Sequence, residues 1–151
     1  MIDEREQFLE AWLRISSTVC NERIVSNMPF NEALVCNILY YFSMMEPDRE
    51  LTATDLCQMA HMHKTLMNRT LNNLEKKKII RKEQDDSDKR RSFVKIDDTN
   101  FEEFIRVHND TMEFVNKVVK VIGMEKMKNA TQAFHDVAQA VDDIMYKKAE
   151  E

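Results

Sequence analysis

Lys64, Asn68 and Asn72 recur every fourth residue, flanked by Thr65, Arg69 and Lys76. On a helix that spacing puts the three on one face with the others beside them. A side-chain amide offers a donor next to an acceptor, a guanidinium offers a rigid fork of donors, and an ammonium is a compact charge. A second group, Arg81, Lys82, Lys89, Arg90 and Arg91, follows within about one supersecondary unit. The chemistry open to such a set is hydrogen bonding to base edges and attraction to phosphates. Between His61 and Lys95 there are eleven Lys or Arg against five Asp or Glu, a balance of +6 in a chain whose net charge is −5, so the remainder sums to −11. A compact cationic segment in an acidic protein is the electrostatic footprint of something that docks on a phosphate backbone.

The elements that must hold these residues can be read from periodicity. Ala53 to about Ala60 forms a short helix, opened by Thr52 three residues before Asp55 in the manner of a capping box. His61-Met62-His63 makes a turn, and a helix follows from about Lys64 to Lys77 with Met67, Leu71 and Leu74 along its buried side. After Lys78 the period changes to two. Ile79–Glu83 and Ser92–Ile96 are β-capable and flank the polar turn Gln84–Arg91, the only strand signal in the chain.

Helices surround this unit. Phe8, Trp12, Ile15 and Val19 predict a helix over about 4–25 with one buried stripe. The segment Ser26 to Asn31, with Pro29, breaks it. Asn31 is expected to cap a second helix, Glu32 to about Met44, apolar over a wide arc. A long helix is predicted from about Asn100 to Ile122, and Gly123 falls where it ends or bends. The last helix runs from about Met124 to Lys147.

Composition narrows the class. Apolar residues make up 43% and charged residues 32% of 151, which suits one domain, or a small domain with an oligomerisation element. One Gly and two Pro favour a mainly helical chain, because tight turns between strands usually need Gly. Glycine-rich phosphate loops, HExxH and nucleophile-elbow patterns are absent, so no catalytic residues are assigned and no cofactor is expected. No apolar run reaches the ~20 residues needed to span a bilayer, and the first residues are acidic, without a signal peptide's apolar core. A cytoplasmic protein without membrane contact is expected. Cys20, Cys36 and Cys57 are odd in number and widely spaced, which argues for reduced thiols.

A helix-turn-helix followed by a charged hairpin is a winged helix, and the local sequence resembles the MarR (multiple antibiotic resistance regulator) family of bacterial transcription factors. The resemblance lies in Leu74-Glu75-Lys76-Lys77-Lys78-Ile79-Ile80-Arg81 followed by Asp86-Ser87-Asp88-Lys89-Arg90. The family pattern there reads LE-basic-basic-G-L/I-I-x-R, then D-x-D-x-R. Lys64 to Arg69 is similar to the start of the family's recognition helix, and the order of the flanking helices also fits. Where the family has Gly, this chain has Lys78. Either Lys78 adopts a left-handed conformation at some cost, or the turn differs.

The resemblance implies a mainly α winged helix-turn-helix fold, with residues 31–99 as the DNA-binding domain and 1–30 and 100–151 as helices that intertwine in a homodimer. It implies a transcriptional regulator, commonly a repressor, of a near-palindromic operator in double-stranded DNA. In that arrangement the helix from Lys64 enters a major groove. Asn68 and Asn72 can pair with adenine, Arg69 with guanine or phosphate, and Lys64 and Thr65 with phosphates. Lys76, Arg81, Lys82, Lys89 and Arg91 add attraction that weakens with salt. Arg90 corresponds to the residue that enters the minor groove, and Asp88 to a carboxylate bracing the wing tip. The large apolar residues of the first and last helices exceed what one small winged helix can cover, which independently favours a dimer.

Bland readings stand beside these. Lysines after a helix commonly complement its dipole, and Asp-rich turns are commonly only turns. An effector, most simply a small molecule, would occupy a cleft lined by Trp12, Tyr40 and Tyr41; the same residues read more simply as core, because aromatic stripes at helical spacing usually are. Cys20 is the thiol best placed for redox sensing. Cys57, His61 and His63 could meet a metal but show no fourth ligand, so no metal site is assigned. The rival to DNA binding is a winged helix that binds another protein while its wing charges merely solvate it.

Overall fold

The computed structural model describes residues 2–23, 25 and 28–147. In chain order the elements are α1 (Glu4–Asn21), α2 (Phe30–Met45), β1 (Leu51–Thr52), α3 (Ala53–Ala60), α4 (Lys64–Lys76), β2 (Ile80–Gln84), β3 (Ser92–Ile96), a 3-10 turn (Asp98–Asn100), α5 (Phe101–Ile122) and α6 (Met124–Tyr146). This is the expected mainly α winged helix-turn-helix fold. Ile24 of the expected first helix, Ser26 and Asn27 of the expected breaker, and residues 1 and 148–151 of the expected dimerisation segments lie outside the described residues. The chain forms two compact units, Met1–Met112 and Glu113–Glu151.

In the first unit the core is built from one face of each helix-turn-helix element. α4 turns Met67, Thr70, Leu71 and Leu74 inward, and Leu56 of α3, Val35 and Leu39 of α2 and Val94 of β3 pack with them. Phe104 and Val107, from the first turns of α5, complete this core. The sheet is antiparallel in the order β1-β3-β2, with Leu51 opposite Val94 and Lys82 opposite Val94 on the other side. β1 was not expected. Two residues are too few to show a period, and only their pairing to β3 makes them a strand.

Thr52 caps α3 as predicted. Its hydroxyl accepts from the Asp55 N–H (3.2 Å), and the Asp55 carboxylate accepts from the Thr52 N–H (2.8 Å). That backbone hydrogen bond from Thr52, opposed by partial desolvation, holds the Asp55 carboxyl below the ordinary carboxylate range. Asn31 does not cap α2. Pro29, extended with φ −58° and ψ 145°, takes that place, and its carbonyl accepts from the Glu32 and Ala33 N–H groups. α1 ends at Asn21 rather than about 25, because Val25 leaves the helix to form an isolated bridge with Met28.

A chain with one glycine ends both helices of its reading motif in the same way. The Met62 N–H bonds back to Cys57 O (3.0 Å) and the His61 N–H to Gln58 O (3.4 Å), with His61 at φ 49°. At the end of α4, the Ile79 N–H bonds to Leu74 O (3.0 Å) and the Lys78 N–H to Glu75 O (2.9 Å), with Lys78 at φ 57°. Each is a Schellman motif with a non-glycine residue in the left-handed position, anchored by a buried apolar residue, Met62 or Ile79, immediately after it. Lys78 therefore takes the left-handed alternative. Replacing Lys78 by Gly should raise stability by about 0.5–1 kcal/mol, the left-handed strain relieved less the extra entropy of an unfolded glycine. Denaturant unfolding would register this, and a destabilised Gly variant would refute the strain.

The stripe on α1 is not buried in the described chain. Phe8, Leu9, Trp12, Leu13 and Ile15 are all exposed, because α1 presents this stripe to no other element of its own unit that covers it. In the second unit none of the described residues is buried either. Phe114, Val115, Val118, Phe134, Ile144 and Met145 are exposed there. Gly123 separates α5 from α6 at φ 86° and ψ 156°, a backbone region open essentially to glycine alone.

Candidate nucleic-acid interface

α4 sorts its residues cleanly. While Met67, Leu71 and Leu74 face the core, Lys64, Thr65, Asn68, Arg69, Asn72 and Lys76 are all exposed. Lys64, Thr65, Asn68, Arg69 and Lys76 have no side-chain partner among the described residues. His63 precedes the helix without a side-chain cap, leaving first-turn N–H groups open beside Lys64 and Thr65. Asn72 differs. Its Oδ1 accepts from Lys82 Nζ of β2 at 2.7 Å, and the same ammonium lies 3.5 Å from Glu75 Oε2.

The wing is a seven-residue loop, Asp85–Arg91, closed by the Asp85 N–H donating to Arg91 O at 3.0 Å. Two carboxylates organise it. Asp85 Oδ1 accepts from the N–H (2.9 Å) and hydroxyl (2.7 Å) of Ser87, bonds that lower the Asp85 pKa. Asp88 Oδ1 accepts from the Arg90 N–H at 3.0 Å and lies 3.5 Å from Arg90 Nε, while its carbonyl accepts from the Arg91 N–H. The Arg90 side chain remains 93% exposed. The Arg91 guanidinium stands 5.7 Å from the centre of the Phe93 ring, and Lys89 is exposed.

Other cations of the hairpin are committed inside the protein. Arg81 pairs with Glu83 and lies 3.7 Å from Asp98, which raises its pKa. Lys95 bridges Glu50 (2.8 Å) and Glu83 (3.2 Å), and these carboxylates raise its pKa too. Arg81 and Glu83 are two apart on β2 and so share a face, but the pairs of Lys95 depend on how β3 lies against β2 and the turn before β1, which residue spacing does not reveal. Lys77 reaches Glu32 of α2, whose side chain is only 4% exposed. This ion pair lies at the C-terminal end of α4, and residue spacing gives no sign of it.

The other sequence-predicted residues are dispersed. Trp12 is exposed on α1 with its ring edge-on to Phe8; Tyr41 is exposed against Phe42. Tyr40 stacks on His108 with ring centres 3.6 Å apart. A cleft of about 370 Å³ opens instead between the end of α2, the following turn, β1 and β3, near Phe42, Arg49 and Lys95. Cys20 is exposed, on the rim of a cleft of about 300 Å³ with Asn21 and Phe30. Cys36 is buried, and burial, reinforced by the charge of Glu32, pushes its thiol up to about 12. Cys57 is half-buried and His61 and His63 exposed. Among the described residues no three His, Cys, Asp or Glu side chains gather as a metal site.

Residues 28–91, from the approach to α2 through the wing, match the family model described as MarR family. Over this segment the chain is similar to the MarR family. Solved structures of the same fold cover most of the chain. A MarR family transcriptional regulator from Streptomyces coelicolor, solved in complex with DNA, is 20% identical, with a TM-score of 0.72, covering 93% of this chain and 94% of that one. The PcaV transcriptional regulator from Streptomyces coelicolor, solved with its natural ligand, is 14% identical with a TM-score of 0.69, covering 93% and 98%. The S. aureus MepR–DNA complex is 14% identical with a TM-score of 0.68, covering 93% and 99%. No curated protein matches the sequence. Among the described residues no helix is long and apolar enough to cross a membrane.

Proposed function

We propose that the chain is a homodimeric, cytoplasmic transcriptional regulator, not an enzyme, that binds a near-palindromic double-stranded operator and is released from it by a small-molecule effector. One observation carries this reading: a single helix, α4, exposes Lys64, Thr65, Asn68, Arg69 and Asn72 on the side away from the core, with Lys89, Arg90 and Arg91 on the wing in the same unit. The match of residues 28–91 to the MarR family supports it, as do structures of similar fold solved with DNA and with a natural ligand. α4 is the element to enter the major groove, with Arg90 directed to the minor groove. Residues 31–99 serve as the DNA-binding domain. The exposed apolar surfaces of α1 and of the 113–147 helices meet a second copy, so that residues 1–30 and 100–151 form the dimer base. Repression is the family's usual sign and is adopted here on that ground.

Selection of bound duplexes from random DNA, with and without candidate effectors, tests this. The expected product is a sequence with two half-sites about one helical turn apart. Its affinity should fall linearly in log units with log salt, by a slope of about 0.9 per phosphate contact. Enrichment of no sequence, or binding indifferent to salt, would leave the protein-interaction reading in its place.

A further inference from the structure

α4 exposes two asparagines one turn apart, and the structure treats them differently. Asn68 has no side-chain partner among the described residues, so its amide can turn either way to meet a base. Asn72 is held. Lys82 Nζ lies 2.7 Å from it and 3.5 Å from Glu75 Oε2. Asn72 and Glu75 are three residues apart on α4, hence neighbours on its surface, and an ammonium has three donors with which to span both. An ammonium can only donate, so the Asn72 atom facing it must be the carbonyl oxygen. The two Nδ2 hydrogens are then what Asn72 can present elsewhere.

The orientation matters because the two purines differ in the major groove. Adenine shows an acceptor, N7, beside a donor, N6–H₂. Guanine shows two acceptors, N7 and O6. An asparagine with both amide atoms available suits adenine, which is the pairing the sequence alone suggests for this position. One whose oxygen already accepts from an ammonium keeps a single lone pair there, weakened by the nearby positive charge, so its two donors dominate what it offers.

We propose that Lys82, reaching from β2, is a positioning residue that fixes the Asn72 amide with its oxygen engaged, so that Asn72 favours guanine over adenine at the base it meets. This rests on the DNA-binding reading above and adds to it a specificity that spacing on α4 does not contain. Lys82 is then tied to Glu75 and Asn72 rather than to a phosphate.

Selection from random duplexes with the full-length chain, followed by binding to the four single-base variants of the preferred site, tests the proposal. Asn72→Ala identifies the position that Asn72 reads, since preference is lost there. At that position the wild type should favour guanine over adenine about tenfold. Lys82→Met keeps the aliphatic stem and removes the donor, and should move the preference toward adenine by about the same factor. Lys82→Arg should retain guanine, and the position read by Asn68 should not change in any of these variants. A wild type that prefers adenine at the Asn72 position overturns the proposal. So does a Lys82→Met protein that binds every sequence more weakly while its preferences persist, which is the behaviour of a phosphate contact. If the wild type selects a sequence and Asn72→Ala leaves every preference intact, only this inference falls; if it selects none, the DNA-binding reading falls and takes the inference with it.

Discussion

Replacing Lys77 by Met should lower stability by about 2 kcal/mol while leaving the exposed face of α4 as it is. Glu32 lies on α2 with its side chain 4% exposed, and Lys77, just past the end of α4, is its ion-pair partner. Removing one member of a buried pair strands the other charge, at a cost of about 3–5 kcal/mol when both are enclosed. Here the Lys77 side chain is 44% exposed, so water can partly replace it and the cost falls below that range. In a protein of this size the loss corresponds to a fall in Tm of roughly 4–8 °C at fixed protein concentration. The double variant Glu32→Leu with Lys77→Met should recover most of it, because replacing both partners by apolar groups leaves no buried charge unpaired. Thermal unfolding of the three proteins measures this. A single variant as stable as the wild type would mean that Glu32 is hydrated without Lys77.

That ion pair marks the limit of what the residues alone disclose. α4 could be read because Met67, Leu71 and Leu74 repeat at the helical period, and its polar residues then fall on the opposite side by arithmetic. The hairpin could be read because the period changes to two after Lys78 and the turn is dense in Asp. The Thr52–Asp55 cap is local, three residues apart, and so was visible too. β1 was not, since a two-residue strand exists only through its pairing to β3. At Lys78 the sequence leaves two alternatives, and the choice rests on whether Ile79 can bury itself directly afterwards, a tertiary matter.

The candidate interface divides along the same line. Which residues of α4 are exposed follows from periodicity. Which of them are free does not. Lys82 and Asn72 are ten residues apart in sequence, and only the return of β2 alongside α4 brings them together. Arg81 reads as a spare cation in sequence and Lys95 counts toward the local positive balance, yet both are paired with carboxylates within the hairpin and its surroundings. The positive surface available to a polyanion is therefore smaller than the count of lysines and arginines suggests, and it concentrates at the start of α4 and at Lys89, Arg90 and Arg91.

Arg90→Ala should reduce DNA affinity about ten- to a hundredfold, the scale of a lost hydrogen bond to a charged group, with unfolding and dimerisation unchanged. The side chain is 93% exposed and supports nothing else in the fold; the bond that shapes the turn, Arg90 N–H to Asp88 Oδ1, belongs to the main chain and survives in the variant. Asp88 supplies the sharper test, because two physical effects oppose each other there. Asp88→Ala removes a negative charge from a surface that meets a polyanion, and by Coulomb's law alone that should strengthen binding. It also removes the acceptor for the Arg90 N–H and the carboxylate 3.5 Å from Arg90 Nε, which frees both the turn and the side chain to wander before binding. If Asp88 braces the wing, the second effect wins, and Asp88→Ala weakens binding despite the gain in net positive charge. Titration of an operator duplex at a single ionic strength gives the sign, and a tighter-binding Asp88→Ala protein would reduce Asp88 to an ordinary turn residue.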